Sequence, residues 1–581
     1  MTLPSWNLTE FYPSFTSTEI DKDIKTLKKK TKKFSSSFKG KLSILSSENL
    51  LQTLIDYEKI EELVQKIKSF AYLTYCTDQL NEKKKKFYQF IEESLSDIEK
   101  AIIFYSIELN NLSEKKLSLF NDSKYKSWIK NHKKFKKFQK SEDNEKILVE
   151  KSLTSSSAWV KFFDQSMTRL KFKFKNKELS ETEILNLLSS TNRKVRKEAA
   201  EVFGDTLKKN IFNFTFIINT ISKDLDINKN IRGFKYSESS RHLLNQIEKE
   251  DVDSLVKSTT DNYSKICHRY YKYKTKFFGD KILKYWDRNA PYPGTKEFKI
   301  SWKEAKNTVI ESYNSFDPRF GDIVRLFFDK NWIDAGIKKG KTSGAFSHPT
   351  VPSCSPRILV NFQGRIRDVM TLAHELGHGI HQYLANKNGL LLSDTPLTLA
   401  ETASVFGEML TFKLLLKKSK NKHEKIYLLR SKIEDMLNTV FRQIAFFKFE
   451  RDLHSQRIEG ELTTEEISQI WLKSQKESLG NSIELSGDYK YFWAYIPHFI
   501  HSPFYVYAYA FGDCLVNSLY SKYESGDKNF NEKYFNLLSS GGSEHYQKHL
   551  RKFKLNPKDK NFWQLGMNLI KNLIDELEQL S

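Results

Sequence analysis

Long stretches of this chain contain no helix-breaking residue, and this feature constrains its fold more than any other. Only 12 prolines and 22 glycines occur in 581 residues. Residues 47–73, for example, read SENLLQTLIDYEKIEELVQKIKSFAYL, with apolar positions that recur at the three- and four-residue spacing of one helix face. We therefore predict a mostly α-helical protein, and this composition excludes a β-sandwich or a collagen-like chain.

The chain is long enough to form one large or two medium hydrophobic cores. A second helical series begins where Ser180 and Glu183 have the spacing of a capping box. We place a boundary near residue 190, with an N-terminal helical lobe over residues 1–190 and a second lobe over residues 191–581, which carries the chemical motifs described below. Proline, glycine and serine concentrate between residues 289 and 364, around a β-branched run at 357–362 that is the best candidate strand.

The chain is strongly basic, since its lysines and arginines exceed its aspartates and glutamates by 95 − 72 = 23. Basic runs interleaved with aromatic residues, such as KKFKKF at 133–138, are the best sequence argument for nucleic-acid contact. Solvated helix faces explain the same runs more simply. We expect no obligate nucleic-acid partner.

The cysteines and the N-terminal residues bear on the cellular compartment. Cys76, Cys267, Cys354 and Cys514 are far apart and form no CxxC pair, which favours free thiols in a reducing compartment. The first residues lack a basic segment followed by an apolar one, and no later run approaches the roughly 18 apolar residues of a membrane span. We expect a cytoplasmic protein without a membrane partner, and the oligomeric state stays open.

Residues 368–384, DVMTLAHELGHGIHQYL, carry the most specific chemical motif of the chain. Their apolar residues recur at helical spacing, which predicts a helix with one buried face. On this helix His374 and His378 are about 40° apart in azimuth and about 6 Å apart in rise, so both imidazoles can bind one ion. An HExxH sequence arises by chance in roughly one or two chains of this composition per hundred.

Two imidazoles suit zinc, and a catalytic zinc site needs a third protein ligand and an open position for water. Glu375 follows the first histidine and is expected to face that water. It would act as the general base that accepts the water's proton and then as the acid that passes this proton to the leaving amine.

A second helix is predicted within residues 393–416, SDTPLTLAETASVFGEMLTFKLLL. Asp394 or Thr395 can cap this helix, and Pro396 suits its first position. Glu401 follows His378 by 23 residues, a separation that a turn and an antiparallel helix can close.

Two further residues compete for a place at the metal. Glu408 is two helical turns beyond Glu401, about 10.5 Å away, so both carboxylates cannot bind one ion. We select Glu401 as the ligand and Glu408 as a partner of the ligands. His381 is a rival on the same stripe, but it lies about 7.5 Å along the axis from the expected ion. An orienting or substrate-contacting role suits His381 better.

The C-terminal region contains an aromatic segment at residues 491–512, YFWAYIPHFIHSPFYVYAYAFG. Tyr505 and Tyr509 are one helical turn apart, and aligned phenols can donate hydrogen bonds to a developing oxyanion. An aromatic core is the alternative explanation of this stripe.

These motifs resemble oligoendopeptidase F and the wider thimet oligopeptidase family of zinc metallopeptidases. The resemblance is carried by HELGHGIH at 374–381 and ETAS at 401–404. It extends to WNLT at 6–9, to SGAFS at 343–347 and to the PHF and FYVY segments at 497–499 and 504–507.

The resemblance implies a mostly α-helical, two-lobed protein with a deep central channel that admits only short unstructured peptides. It implies one zinc ion per chain, bound by His374, His378 and Glu401 at the channel floor, with Glu375 as the acid and base. A small β-sheet is expected beside the zinc helix. The residues that the resemblance places near substrate are His498, Tyr505 and Tyr509 at the scissile carbonyl, with His501 or Tyr507 as alternatives, and the segment Ser343, Gly344, Ala345 and Phe346.

We therefore predict a zinc endopeptidase that cleaves internal bonds of short peptides. A zinc carboxypeptidase or dipeptidase is the alternative within enzymes, because motif spacing does not separate internal from terminal cleavage. The alternative from another class is a non-catalytic basic protein that binds nucleic acid. The presence of Glu375 argues against it, since a purely structural zinc needs no general base.

Overall fold

The computed structural model describes residues 3–294, 298–395 and 397–581. Helices dominate it, which confirms the predicted fold class. In chain order they are α1 Thr18–Phe38, α2 Ser47–Cys76, α3 Glu82–Asn111, α4 Glu114–Leu117, α5 Lys126–Lys136, α6 Glu142–Ser152, α7 Ser156–Arg169, α8 Glu181–Leu187, α9 Arg193–Lys209, α10 Ile211–Arg232, α11 Ser239–Leu244, α12 Lys249–Asp261 and α13 Arg269–Thr275. They continue with α14 Trp302–Phe316, α15 Pro318–Asp329, α16 Ile366–Ala385, α17 Leu390–Ser393, α18 Leu397–Lys418, α19 Lys422–Met436, α20 Arg442–Glu459, α21 Thr464–Leu479, α22 His498–His501, α23 Tyr507–Glu524, α24 Phe530–Ser539, α25 Tyr546–Lys552 and α26 Lys560–Leu580.

The strands are short and form three small sheets. They are β1 Phe172–Phe174, β2 Lys177–Leu179, β3 Leu283–Lys284, β4 Ile333–Asp334, β5 Phe346–His348, β6 Arg357–Leu359 and β7 Ile483–Glu484. An antiparallel hairpin joins β1 to β2, β3 pairs with β7 in parallel, and the third sheet has the order β4-β6-β5. Among the described residues, no helix combines the length and the apolar character that crossing a membrane requires.

Two compact units divide the chain, and each is built from three separate segments. Unit 1 comprises Met1–Lys137, Glu297–Lys418 and Lys522–Asn556. Unit 2 comprises Phe138–Lys296, Ser419–Ser521 and Pro557–Ser581. This division differs from the single boundary expected near residue 190, which lies inside unit 2.

The physical reason for the interleaving is visible in the core of unit 1. One apolar cluster contains buried residues of the N-terminal segment and of α1, α2 and α3, together with Val351, Leu359 and Leu392 from the middle of the chain. Arg357 of β6 reinforces this connection, because its guanidinium donates to the Glu10 carboxylate at 2.8 Å. The N-terminal helices and the three-stranded sheet therefore share one core.

Within that sheet, β6 is the central strand. It is parallel to β4 and antiparallel to β5, so β5 has a free edge in the sheet as described. The strand predicted at 357–362 exists but ends at Leu359. Both β5 and β6 pack against α16, which places the sheet beside the helix that carries the HExxH motif.

The helix predicted at 368–384 corresponds to α16. Asp368 accepts hydrogen bonds from the backbone N–H groups of Gln363, at 2.7 Å, and Arg365, at 3.0 Å, so it satisfies donors at the helix start. Val369, Leu376 and Ile380 belong to the predicted apolar stripe and are completely buried. The second helix predicted within 393–416 corresponds to α18, while Pro396 itself lies outside the described residues.

The helices α16 and α18 approach each other until their backbones touch. A methyl group at Gly377 would lie 2.4 Å from the carbonyl oxygen of Ala403 and 2.5 Å from Cα of Ser404. Tyr313 of α14 contacts both of these helices. Its hydroxyl donates to the carbonyl of Ala373 on α16 at 2.8 Å and occupies the space beside Gly407 on α18. Glycine at 377 is required by this close approach rather than by an unusual backbone angle.

We expect Gly377→Ala to lower the free energy of unfolding by about 1–3 kcal/mol, because the added methyl group must push two helix backbones apart. The variant should also bind zinc more weakly, since the expected ligands His374, His378 and Glu401 lie on both helices. Urea denaturation and zinc titration measure these effects. Gly336→Ala is the matched control, because its nearest neighbour would lie at an ordinary 3.7 Å. Equal stability of the two variants would contradict the proposed backbone contact.

Candidate metal centre and active site

Three side chains in unit 1 converge on one point. His374 and His378 lie one turn apart on α16, and their Nε2 atoms are 3.1 Å apart. Oε2 of Glu401, near the start of α18, is 3.4 Å from the first of these atoms and 3.6 Å from the second. Tetrahedral bonds of about 2.0–2.1 Å place neighbouring zinc ligands about 3.3 Å apart, so this triangle has the size that one zinc ion requires. Within the described residues, no other group of histidine, cysteine and acidic side chains has metal-binding geometry.

Two neighbouring side chains orient these ligands. Oε1 of Glu408 lies 2.5 Å from Nδ1 of His374, so a proton on Nδ1 leaves the Nε2 lone pair directed at the cluster. The hydroxyl of Ser404 donates to Oε2 of Glu401 at 2.6 Å. Burial would lower the pKa of His374, but the hydrogen bond and charge of Glu408 raise it to about 9. Glu408 therefore both orients the imidazole of His374 and stabilises its protonated form.

His381 lies on α16 but outside the group of converging ligand atoms. Its Nε2 atom is 3.5 Å from the hydroxyl oxygen of Thr395. Burial and the charge of His378 lower the pKa of His381 to about 3, so its imidazole is neutral at physiological pH. His381 therefore lies outside the ligand triangle but lines the same cavity as His374 and His378.

Glu375 lines a cavity of about 420 Å³ together with the two histidines of the cluster. Burial raises the pKa of Glu375 to about 7, although a hydrogen bond to the backbone of Ser347 acts in the opposite direction. A carboxyl group whose pKa is close to neutrality can both accept and return a proton at physiological pH. The position and the protonation equilibrium of Glu375 therefore suit a general base.

The segment that precedes β6 forms the opposite wall of this cavity. Ala345, Phe346 and Ser347 line it, whereas Ser343 and Gly344 are exposed and are not among its lining residues. The Gly344 carbonyl accepts a hydrogen bond from the side chain of Asn361 at 2.9 Å, which ties this loop to the end of β6. Of the four residues expected to contact substrate here, the structure places two at the cavity.

The histidine and tyrosine residues of the C-terminal region lie in unit 2. Nε2 of His498 is 3.2 Å from the Tyr509 hydroxyl, and the Tyr505 and Tyr509 rings are 5.2 Å apart. These three side chains form one cluster. Tyr505 nevertheless precedes α23 and lies in a turn, so a shared helix face is not what brings the two phenols together.

Two other residues of this region have different surroundings. Tyr507 is completely buried, and its hydroxyl is 3.0 Å from Nδ1 of His242 and 2.8 Å from the amide nitrogen of Asn245. His501 is partly exposed and lies 2.7 Å from the carboxylate of Asp164. Tyr507 therefore belongs to the core, whereas His501 remains accessible beside α7.

A buried clamp fixes the turn before Tyr505. The peptide group between Pro503 and Phe504 is held at both ends, because its N–H donates to Glu450 at 2.7 Å and its carbonyl accepts from Arg241 at 3.4 Å. Phe504 has a φ of 60°, which is costly for a bulky residue and persists only where the surroundings enforce it. Burial raises the pKa of Glu450 well above its ordinary value. The clamp thus sets the chain direction that leads into Tyr505.

Comparison with known proteins agrees with this geometry. The model of "Peptidase family M3" matches residues 186–569, which is more than half of the chain. This chain belongs to peptidase family M3. The model of "Oligopeptidase F" matches residues 108–172 of the same M3 peptidase.

Two curated relatives span most of this M3 peptidase. Oligopeptidase PepF of Bacillus subtilis is 26% identical over 99% of this chain and 87% of its own length. An oligoendopeptidase F homolog of Borreliella burgdorferi is 28% identical over 91% of this chain and 90% of its own length. Among solved structures, a Chlamydophila abortus protein matches with a TM-score of 0.86 at 24% identity, covering 99% of this chain and 98% of the other. The family establishes a metallopeptidase, as the motifs predicted.

Sequence reasoning did not identify several residues that support the candidate site residues of this M3 peptidase. Ser404 lies one helical turn after Glu401, so helical spacing could have indicated its contact. Tyr313, Glu450 and Arg241 are far in sequence from the groups they support, and no local signal connects them.

The roles of the two acidic residues on α18 predict different losses of zinc. We expect Glu401→Ala to remove a ligand and weaken zinc binding more than about 100-fold. Glu408→Ala should weaken it about 10–100-fold, because the imidazole of His374 loses the partner that orients it. Competition with a chelating dye measures both affinities. Glu311→Ala, which removes an exposed ion-pair partner of Lys418, is the control and should bind zinc normally. The reverse order of losses would assign the ligand to Glu408.

The hydrogen bond from Phe504 to Glu450 predicts that two substitutions at Glu450 differ in their effect on the free energy of unfolding. Glu450→Met leaves the buried N–H of Phe504 without an acceptor and should lower the free energy of unfolding by about 1–3 kcal/mol. Glu450→Gln keeps an acceptor oxygen of the same shape and should be close to the parent in urea denaturation. A Gln variant as unstable as the Met variant would show that the clamp does not depend on this hydrogen bond.

Proposed function

We propose that this M3 metallopeptidase is a zinc-dependent oligoendopeptidase, which hydrolyses internal peptide bonds of short unstructured peptides. The observation that carries the proposal is the triangle of His374, His378 and Glu401 beside Glu375. Two imidazoles and one carboxylate are a donor set typical of catalytic zinc. The names of the curated relatives, oligopeptidase and oligoendopeptidase F, support the substrate class and the internal cleavage.

In the proposed reaction His374, His378 and Glu401 hold the metal. A bound zinc ion would supply Lewis acidity, which polarises a carbonyl group and makes water more acidic. Glu375 accepts the proton of the attacking water at its carboxylate and returns it to the nitrogen of the leaving amine. Burial keeps the pKa of Glu375 near 7, so the same group serves both steps.

We propose that the substrate is bound as an extended strand along β5. β5 lies at an edge of its sheet and can pair with a further strand, whereas β6 already has a partner on each side and cannot. Main-chain hydrogen bonds at a sheet edge recognise the peptide backbone and tolerate many side chains. Phe346 and Ser347 of β5 line the cavity that contains Glu375, so a peptide paired there has its bonds beside the base.

We also propose that His498, Tyr505 and Tyr509 donate hydrogen bonds to the developing oxyanion of the substrate. A cluster of an imidazole and two phenols in mutual contact supports this role. We assign His501 a substrate contact, because it is partly exposed, and we propose a cytoplasmic location, because all four cysteines are free thiols.

The decisive experiment is the digestion of an internally quenched peptide of about ten residues, with mass spectrometry of the products. We expect internal cuts that a chelator abolishes and added zinc restores. Cuts confined to one end would favour a carboxypeptidase or dipeptidase. Zinc-loaded protein that cleaves no peptide would contradict the proposal.

The role of Glu375 predicts a loss of rate without a loss of metal. We expect Glu375→Gln to reduce kcat at least about 100-fold, because Gln cannot accept the proton. The zinc content, measured by inductively coupled plasma mass spectrometry, should remain at one ion per chain. Glu311→Ala serves again as the control with unchanged kcat. Turnover close to the parent rate in Glu375→Gln would assign the base to another residue.

A further inference from the structure

The cavity beside the expected metal ligands contains an acidic side chain that the proposed reaction does not use. Asp394 lies between α17 and α18, and it lines this cavity of about 420 Å³ together with His378, His381 and Gln382 of α16. It is exposed, so its carboxylate is accessible to a molecule that enters the cavity. It does not belong to the triangle of converging ligand atoms. Asp394 is therefore placed to contact substrate.

The backbone that carries Asp394 is held from two sides. Before it in the chain, the N–H of Leu391 donates to the buried carboxylate of Glu58 on α2 at 3.2 Å. At the turn after α24, a methyl group at Gly542 would lie only 2.7 Å from the carbonyl oxygen of Asp394. These contacts give the carboxylate a defined position in the cavity, as a residue that selects substrates requires.

The position of Asp394 along α16 limits which part of a substrate can reach it. The hydroxyl oxygen of its neighbour Thr395 is 3.5 Å from Nε2 of His381. His381 follows His378 by three residues, about 4.5 Å along the helix axis. An extended peptide advances about 3.3 Å per residue. The substrate side chain that contacts Asp394 therefore belongs to a residue within about three positions of the cut bond.

The lining of the cavity matches a long cationic side chain. Ala345, Phe346 and Pro349 give the cavity apolar walls, while Asp394 and the hydroxyl of Thr395 supply hydrogen-bond acceptors. Lysine and arginine bury their methylene stems along apolar surface and keep the charged group at a polar site. Hydrogen bonds from these charged groups to a carboxylate are among the strongest in proteins.

We propose that Asp394 is a specificity-determining residue, which binds the ammonium or guanidinium group of a lysine or arginine side chain in the peptide substrate. The proposal rests on the proposed peptidase function and adds a preference for basic peptides to it. Pairing along β5 recognises the backbone and tolerates many side chains. The contact with Asp394 selects one kind of side chain at one position.

Cleavage of matched peptides tests the proposal. Internally quenched peptides of about ten residues carry Lys, Met or Glu at one position and are otherwise identical, and that position is varied along the peptide. Met serves as the neutral reference because it is also long and unbranched. At one position we expect kcat/KM for the Lys peptide to exceed that for the Met peptide at least about tenfold, since a hydrogen bond between charged groups joins Lys to Asp394. The Glu peptide should be cleaved most slowly there.

Substitutions at Asp394 should change this selectivity. Asp394→Asn keeps the shape of the side chain and should bring the ratio of Lys to Met cleavage close to one. Asp394→Lys should reverse the preference in favour of the Glu peptide. Glu311→Ala, which removes an exposed carboxylate outside the cavity, is the control and should keep the parent ratio. A parent ratio near one, or a ratio that Asp394→Asn leaves unchanged, would overturn the proposal.

Acetylated peptides distinguish a cationic side chain from the N-terminal ammonium group. If Asp394 binds the side chain, the cut bond moves with the position of the Lys residue, and N-terminal acetylation leaves the ratio unchanged. Cuts at a fixed distance from a free N-terminus, abolished by acetylation, would assign Asp394 to the terminal ammonium group and overturn the side-chain assignment.

Peptide binding to an inactive variant separates this proposal from the proposed function. Zinc-loaded Glu375→Gln should bind a fluorescent Lys peptide at least about tenfold more tightly than the Met peptide, measured by fluorescence anisotropy. Addition of Asp394→Asn should make the two affinities equal. If the parent cleaves no peptide while this difference in affinity persists, the peptidase function is wrong and the cation site is supported. If the parent cleaves peptides while Glu375→Gln binds both equally, the cation site is wrong and the peptidase function is supported.

Discussion

The backbone contact between α16 and α18 is the constraint on which the rest of the active site depends. Glycine at 377 lets the two helices touch at Ala403 and Ser404. Only at this separation can Glu401 reach the imidazoles of His374 and His378. Larger residues at this point would widen the gap by more than the few tenths of an ångström that a metal site tolerates. The HExxH helix thus carries Gly377, whose role is steric, as well as the three residues proposed to take part in the chemistry, His374, Glu375 and His378.

Around this contact, hydrogen bonds between polar side chains compensate the cost of burying them in a region of low dielectric constant. Glu408 orients His374, and Ser404 orients Glu401, so two of the three candidate ligands have a partner that fixes their orientation. The same surroundings raise the pKa of Glu375 to about 7. Burial therefore does two things at once, since it strengthens the contacts that hold the ligands and adjusts the base to physiological pH.

The ionisable groups buried in unit 2 have two different kinds of surroundings. At Pro503 and Phe504, Glu450 and Arg241 hold one peptide group at both ends, and the charge of the acid is suppressed by burial. Within the described residues, no acidic side chain forms an ion pair with Arg288 or Arg442. The first arrangement is held by contacts within unit 2, although Oε2 of Glu450 has no hydrogen-bond partner among the described residues.

Local sequence patterns are sufficient to predict the helical class, the position of α16 and the three side chains that converge as a candidate metal site. These features depend on local periodicity and on a motif whose spacing is set by helix geometry. Tertiary structure alone decided which segments share a core, because Leu359 and Leu392 join helices that begin near residue 18. It also decided that Tyr507 is buried and that β5, rather than β6, has the free sheet edge. Such contacts join residues hundreds of positions apart, and no local pattern records them.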